Sequence, residues 1–290
     1  EEKHQDGIKA DFDFKLEDID DELASKQSDQ MTAKEEKENV EVTEIDKEIL
    51  KKIEHDIKYQ DRVKEANNSA SNIKMDRPMD YSDIKGVTCF RGNNFRSSAS
   101  YGFVDIKEKK LEIVWDVPIG AIGRWTGVGW NGQPAIVEWS EEAREIMNIF
   151  DEKKKKENLK EVIYGTLDSN VYFLDLDDGS YTREKIKISG PIKGSVTIDP
   201  RGVPLLYVGQ GINYVDETQV KMGYRIFNLI DQSLLHFIDG RDSFALRGWS
   251  AFDSNSIIDK NADIMFICGE NGIVYKSLKD ISKNWQLDRN

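Results

Sequence analysis

Cysteine and histidine are scarce in this chain, with two and three copies in 290 residues. Cys89 and Cys268 stand far apart, with no CxxC spacing. That excludes a dense disulfide framework and a thiolate zinc site. Cys268 lies in an apolar run and is expected to be a buried thiol; whether it bonds to Cys89 stays open. His4, His55 and His236 show no metal-ligand spacing. No run of about 18 apolar residues exists, so a transmembrane helix is excluded. Neither phosphate-binding glycine motif is present, nor a Gly-x-Ser-x-Gly elbow. No catalytic residue and no metal site is therefore assigned. There is no initiator Met and no signal peptide, and the opening Glu-Glu-Lys-His reads as a processed N-terminus.

Basic surplus is also missing. The net charge is −13. Residues 1–75 hold 22 Asp and Glu against 13 Lys and Arg, and the rest holds 32 against 28. The acidity belongs mostly to the N-terminal quarter. A nucleic-acid partner, which needs a basic stripe, is not expected.

The organisation changes three times along the chain. Residues 1–42 have many charges and few aromatics, and read as a disordered acidic tail. Ile45, Ile49, Ile53 and Ile57 recur every four residues, predicting an amphipathic helix over roughly 43–66. A stalk or docking helix and a partner-binding helix both fit it. An Asn/Ser-rich linker closes this region at about residue 75, and the texture over 76–290 is β. One helix interrupts it, capped by Ser140 and running to Lys153-Lys154-Lys155-Lys156, which reads as a solvated helix end.

The β region repeats itself. Val162–Gly179, Leu205–Asp231 and Ile264–Leu278 each spell a strand, a Gly-containing turn and a second strand. Tyr164, Tyr207 and Phe266 are taken as equivalent, and the loop Ile212–Gly223 lengthens the second unit. Shorter β segments precede the units at 132–137, 194–199 and 254–259. Fourth segments follow at Lys185–Ile188 and Leu234–Ile238. Four antiparallel strands per unit describe one propeller blade.

Phe90-Arg91-Gly92-Asn93-Asn94-Phe95-Arg96 resembles the Phe-Arg-Gly-Asn/Asp opening of the PQQ-like (quinoprotein alcohol dehydrogenase-like) β-propellers. That family includes outer-membrane assembly lipoproteins of the same shape. Val171–Gly179 is similar to its repeat core, and Leu111-Glu112-Ile113-Val114-Trp115 to its Trp-ended outer strand, whose Trp packs between blades. The resemblance implies an all-β fold, a propeller of four-stranded antiparallel blades, with about four blades here. The first is a partial one over 86–120, and the ring is incomplete, its C-terminal blades missing or supplied by another copy. It implies a bacterial protein exported to the extracellular space or cell envelope, anchored through a removed N-terminal segment. The quinone enzymes of the superfamily use a vicinal Cys-Cys pair and a calcium site, which this sequence lacks. The family name thus carries PQQ by name only, and no cofactor is expected.

Two loops are rich in aromatic and guanidinium groups. Arg124, Trp125 and Trp130 lie in Gly123–Gly132, and Arg247 and Trp249 precede another short strand. Together they can stack a sugar or grip a peptide; packing between blades accounts for them equally. Asp175, Asp177 and Asp178 before Gly179 lack calcium-loop spacing and read as an Asp-Gly hairpin turn. The expected activity is non-catalytic binding of a protein or carbohydrate. The alternative is a quinone- or metal-dependent enzyme whose site needs absent blades.

Overall fold

The computed structural model describes residues 75–108, 110–245 and 247–278. Contacts divide the chain between Lys64 and Glu65, and every described residue belongs to the second unit. The expected acidic tail and the amphipathic helix lie outside the described residues.

The described chain is mostly antiparallel sheet. It runs β1 (Lys85–Val87), β2 (Ala121–Ile122), β3 (Trp125–Thr126), β4 (Ala135–Glu138), α1 (Glu141–Ile146) and α2 (Asp151–Lys154). It continues β5 (Lys160–Gly165), β6 (Asn170–Asp175), β7 (Ile186–Lys187), β8 (Thr197–Ile198), β9 (Leu205–Val208), β10 (Tyr214–Val215) and β11 (Thr218–Gln219). The last five strands are β12 (Gly223–Asn228), β13 (Leu234–Asp239), β14 (Ile257–Asp259), β15 (Ile264–Cys268) and β16 (Val274–Leu278). Sheet 1 is ordered β1-β4-β5-β6-β7, sheet 2 β8-β9-β12-β13 and sheet 3 β14-β15-β16. None of them closes on itself. β10 and β11 form a separate hairpin inside the predicted Ile212–Gly223 insertion.

Alternation along the strands stacks these sheets. β6 sends Val171 and Phe173 to one side and Tyr172 and Leu174 to the other. Val171 and Phe173 join Leu206, Val208 and Phe227 of sheet 2 in the core between sheets 1 and 2. The opposite faces of β9 and β12, through Leu205, Tyr207, Tyr224 and Ile226, meet Ile258, Met265 and Ile267 of sheet 3. Because each sheet is packed on its neighbour, its strands are apolar on both faces, and β9 is buried throughout. The far side of sheet 1 carries Val162, Tyr172 and Leu174, covered by Trp115, Val117 and Ile119.

Register corrects one expectation. A slip of one residue moves a side chain to the other face of its sheet. Ala135 stands opposite Ile163, Thr197 opposite Tyr207, and Ile257 opposite Phe266. The equivalent set is therefore Ile163, Tyr207 and Phe266, and the expected choice of Tyr164 was displaced by one.

The partial blade expected over 86–120 does not form. No described residue between β1 and β2 is in a strand. β1 instead covers the edge of sheet 1, pairing Val87 with Ile136. Just beyond it, Ile198 N–H of β8 donates to the Thr88 carbonyl at 2.8 Å. Neighbouring residues reach sheet 3: the Ile258 N–H donates to Tyr81 Oη at 3.1 Å, and Arg96 Nη2 donates to the Asn255 carbonyl at 3.2 Å. The segment from Tyr81 to Arg96, which contains the motif, thus touches β4, β8 and the start of sheet 3. Its Asn93 is buried and uses Oδ1 to accept from the N–H groups of Phe95 and Ser97. This placement satisfies inner edges that would otherwise stand open. Leu111–Trp115 makes no ladder, but Trp115 does lie on sheet 1. Its Nε1 donates to the Leu176 carbonyl at 2.8 Å, and its ring occupies the space where a Cβ on Gly179 would stand.

Ser140 caps α1 as expected, accepting from the Ala143 N–H at 3.2 Å. The single helix predicted from there splits in two. Met147 is extended, with ψ 157°, and is buried with Ile149 in the core between sheets 1 and 2. Burial of these two side chains takes precedence over helical continuity. The lysine run is corrected as well. Lys153 and Lys156 each place Nζ 2.7 Å from the buried Asp175 carboxylate, so half of the run neutralises a buried charge. The Asp-Gly turn stands: Gly179 has φ +70° and donates its N–H to the Asp175 carbonyl. Cys268 is exposed at the end of β15, whereas Cys89 is the buried thiol, and both are free. Burial raises the Cys89 thiol above its ordinary value.

Candidate functional site at the loop end

Strand direction defines two ends of the stack. At one, the loops before β4, β8 and β14 meet the turns after β5 and β15 and the long excursion after β9. The pairing register makes Ile136, Ile198 and Ile258 equivalent. Counting back five residues from each gives Asn131, Lys193 and Asp253. Each sheet thus presents one polar side chain in the loop that leads into β4, β8 or β14.

Close backbone packing sets these three side by side. A Cβ on Gly129 would stand 2.1 Å from the Lys193 carbonyl oxygen, and one on Gly194 would stand 2.1 Å from that of Asp253. A Cβ on Gly211 would fall 2.3 Å from Asp253 Oδ1 and 2.5 Å from Lys193 Cδ. Only residues without a side chain let the loops approach this closely.

The charges are arranged around Asp253. Lys193 Nζ stands 2.7 Å from Asp253 Oδ2. Asp253 Oδ1 is shut off from solvent without an N–H or O–H donor among the described residues, and so is Asn131 Oδ1. Glu270, in the turn between β15 and β16, lies against Asp253. Its carboxyl titrates above the ordinary value, first from burial and then from the Asp253 charge and the hydrogen bond between the two; Lys193 and Arg247 pull it the other way. Two close carboxylates cannot both ionise cheaply. Ser195 bridges the first two loops, accepting from the Gln133 N–H at 2.9 Å and donating to the Asn131 carbonyl at 3.3 Å.

The expected aromatic and guanidinium residues fall into three places. Arg124 and Trp125 sit on the β2–β3 hairpin, with the Arg124 guanidinium 5.1 Å from the Trp125 ring centre. The hairpin tip, Gly123, abuts Asp216 in the β10–β11 turn. Trp130 is 93% exposed next to Asn131. Arg247 is exposed within reach of Glu270, on a loop lining a groove of about 430 Å³, and Trp249 is half-buried two residues on. Trp130 and Arg247 therefore flank the Lys193–Asp253–Glu270 group. Among the described residues no ring contact or ion pair joins Arg124 and Trp125 to Arg247 and Trp249.

Asn131, Lys193, Asp253 and Glu270 escaped the sequence reading. The signal was present: Lys193 and Asp253 precede Asp199 and Asp259 by the same interval. Aligning the repeats on those aspartates brings them into one column.

Known proteins do not extend this picture: no family model matches the chain, and no curated protein sequence matches it. Among the described residues, no helix is long and apolar enough to cross a membrane.

Proposed function

We propose that the sheets are blades of a PQQ-like β-propeller and that the chain is a non-catalytic binding module. In this reading it is exported, and it takes a protein segment or a glycan at the loop end. Three antiparallel sheets of five, four and three strands, stacked face to face beside the Tyr81–Arg96 segment, support the blade reading.

The observation that carries the binding reading is Trp130. A large apolar ring held 93% in solvent contributes nothing to the core, and it stands beside a row of polar side chains with unsatisfied acceptors. Aromatic surface next to convergent polar groups is the usual composition of a recognition face. Lys193 is paired with Asp253 at 2.7 Å and Arg247 acts on Glu270 through its charge, so the face carries charges of both signs.

Tryptophan fluorescence tests the reading. The chain is titrated with neutral oligosaccharides of glucose and of N-acetylglucosamine, and separately with extended aromatic-rich peptides. Saturable quenching is expected with one probe set, and its loss in Trp130→Ala at unchanged Tm. Quenching that survives the substitution overturns the choice of face. A clear rise in Tm with PQQ and Ca²⁺ overturns the non-catalytic reading, since a ligand of the native state must stabilise it.

A further inference from the structure

Every sheet-to-sheet junction in this stack is made the same way. One face of a sheet meets the opposite face of the next, first between sheets 1 and 2 and then between sheets 2 and 3. Among the described residues, two terminal faces of the same two kinds have no sheet packed on them.

The first is the outer side of sheet 1. Trp115, Val117 and Ile119 lie on it, and the described residues leading to them are in no helix or strand. Six apolar side chains there stand in solvent: Phe103 at 110%, Leu111 at 101%, Ile113 at 85%, Val104 and Val114 at 81%, and Ile106 at 74%. The stretch is rich in β-branched and aromatic residues, yet none of its described residues is in a strand. Beside it, Tyr101, Val87, Ile136 and Leu176 help line a groove of about 410 Å³.

The second is the outer side of sheet 3. Register places Ile257 and Phe266 together on the face turned away from Met265 and Ile267, and Cys268 with Val274. Ile257 and Phe266 are half-buried, Cys268 is exposed and Val274 is 66% exposed.

We propose that these two faces belong together in a head-to-tail assembly, the outer face of sheet 3 in one copy packing on the Phe103–Trp115 strap and sheet 1 of a second copy. The chain carries both halves of one further junction of the type it already makes twice, which favours a second copy over an unrelated partner. The six exposed side chains alone offer on the order of 800 Å², about what one partner contributes to a stable interface. A head-to-tail contact closes into a ring when the rotation per copy permits it.

Light scattering on the 290-residue chain reads the outcome. A dimer or small ring at micromolar concentration is expected, with Leu111→Asp or Ile113→Asp giving monomers whose far-ultraviolet circular dichroism is unchanged. A monomer at every concentration overturns the proposal, as does an assembly indifferent to both substitutions. Val114→Cys, treated with a short bis-maleimide, gives the location. A product joining Val114→Cys of one copy to Cys268 of another, lost in Cys268→Ser, is expected. A bridge within one chain, or none, overturns the second copy as occupant.

Discussion

Two groups of charges at opposite ends of the stacked sheets are bonded in opposite ways. At the end away from the loops, the Glu161 and Asp199 carboxylates are saturated. Glu161 and Arg183 are both fully buried, with Arg183 Nη2 2.8 Å and Nε 2.9 Å from the Glu161 carboxylate. The same carboxylate accepts from Trp139 Nε1 at 2.8 Å and from the Thr182 hydroxyl. Arg183 continues to the Leu229 carbonyl at 3.0 Å, tying sheet 1 to sheet 2. Asp199 is likewise closed, by a two-pronged bond from Arg201 and by the Tyr207 hydroxyl. At the loop end, Asp253 and Asn131 each keep an oxygen without a donor, and burial and the Asp253 charge raise the Glu270 carboxyl. A saturated cluster has nothing left to offer a ligand. An unsaturated one costs stability in the free protein and recovers it when something binds.

Breaking the saturated end has the largest effect. Glu161→Ala leaves Arg183 buried without its partner, and a loss of about 3–5 kcal/mol is expected, read as a fall in denaturant midpoint. Glu161→Gln, which keeps part of the bonding, falls by less. Next is Gly211→Ala, which forces a methyl onto Asp253 and Lys193; a cost of about 1–3 kcal/mol is expected, typical of overpacking. Nearly unchanged thermal unfolding in this variant would refute the close packing claimed for the loop end.

Acid separates the ends more gently. Burial pushes Asp175 up, but bonds from Lys153, Lys156 and the Asp177 N–H outweigh it and leave the carboxyl below its ordinary value. A depressed carboxylate stabilises the fold above its unfolded pKa of about 3.9 and loses that contribution as pH falls through the lower, folded value. Below about pH 4, the wild type therefore loses more stability than Asp175→Asn. Parallel curves for the two proteins would show that the lysines do not hold this charge. The smallest effect is that of Asp253→Asn. It removes the charge facing Glu270, so the Glu270 titration followed by NMR moves down toward about 4.3. Stability shifts by about 1 kcal/mol or less, because the Lys193 partner is part-exposed.

The strands were legible because two-residue alternation and Gly or Asp turns are local properties. β4 to β9 and β12 to β16 match the segments read from sequence to within about two residues, whereas the β10–β11 hairpin falls in the stretch read as a loop. The Tyr164 slip shows the limit, since aromatic identity competes with register and only pairing partners decide it. What escaped was non-local. Burial of Lys153 and Lys156 depends on Asp175 arriving from another strand, and exposure of Cys268 on which face of sheet 3 stays bare. Trp130 was picked out by composition, whereas the row beside it needed the repeats aligned on Asp199 and Asp259.

The segment from Tyr81 to Arg96 sets an order of events. It leaves the ribosome before every strand of the three sheets but β1, which it contains, yet Tyr81 bonds to a residue 177 positions later and Lys260 bonds back to Asp80 across 180. Contacts of such range form slowly, because the intervening chain must first be ordered. The earliest part of this domain to be synthesised is thus among the last to settle. Until then the first strands of the sheets keep open edges, and this interval is when the nascent protein is most exposed to aggregation.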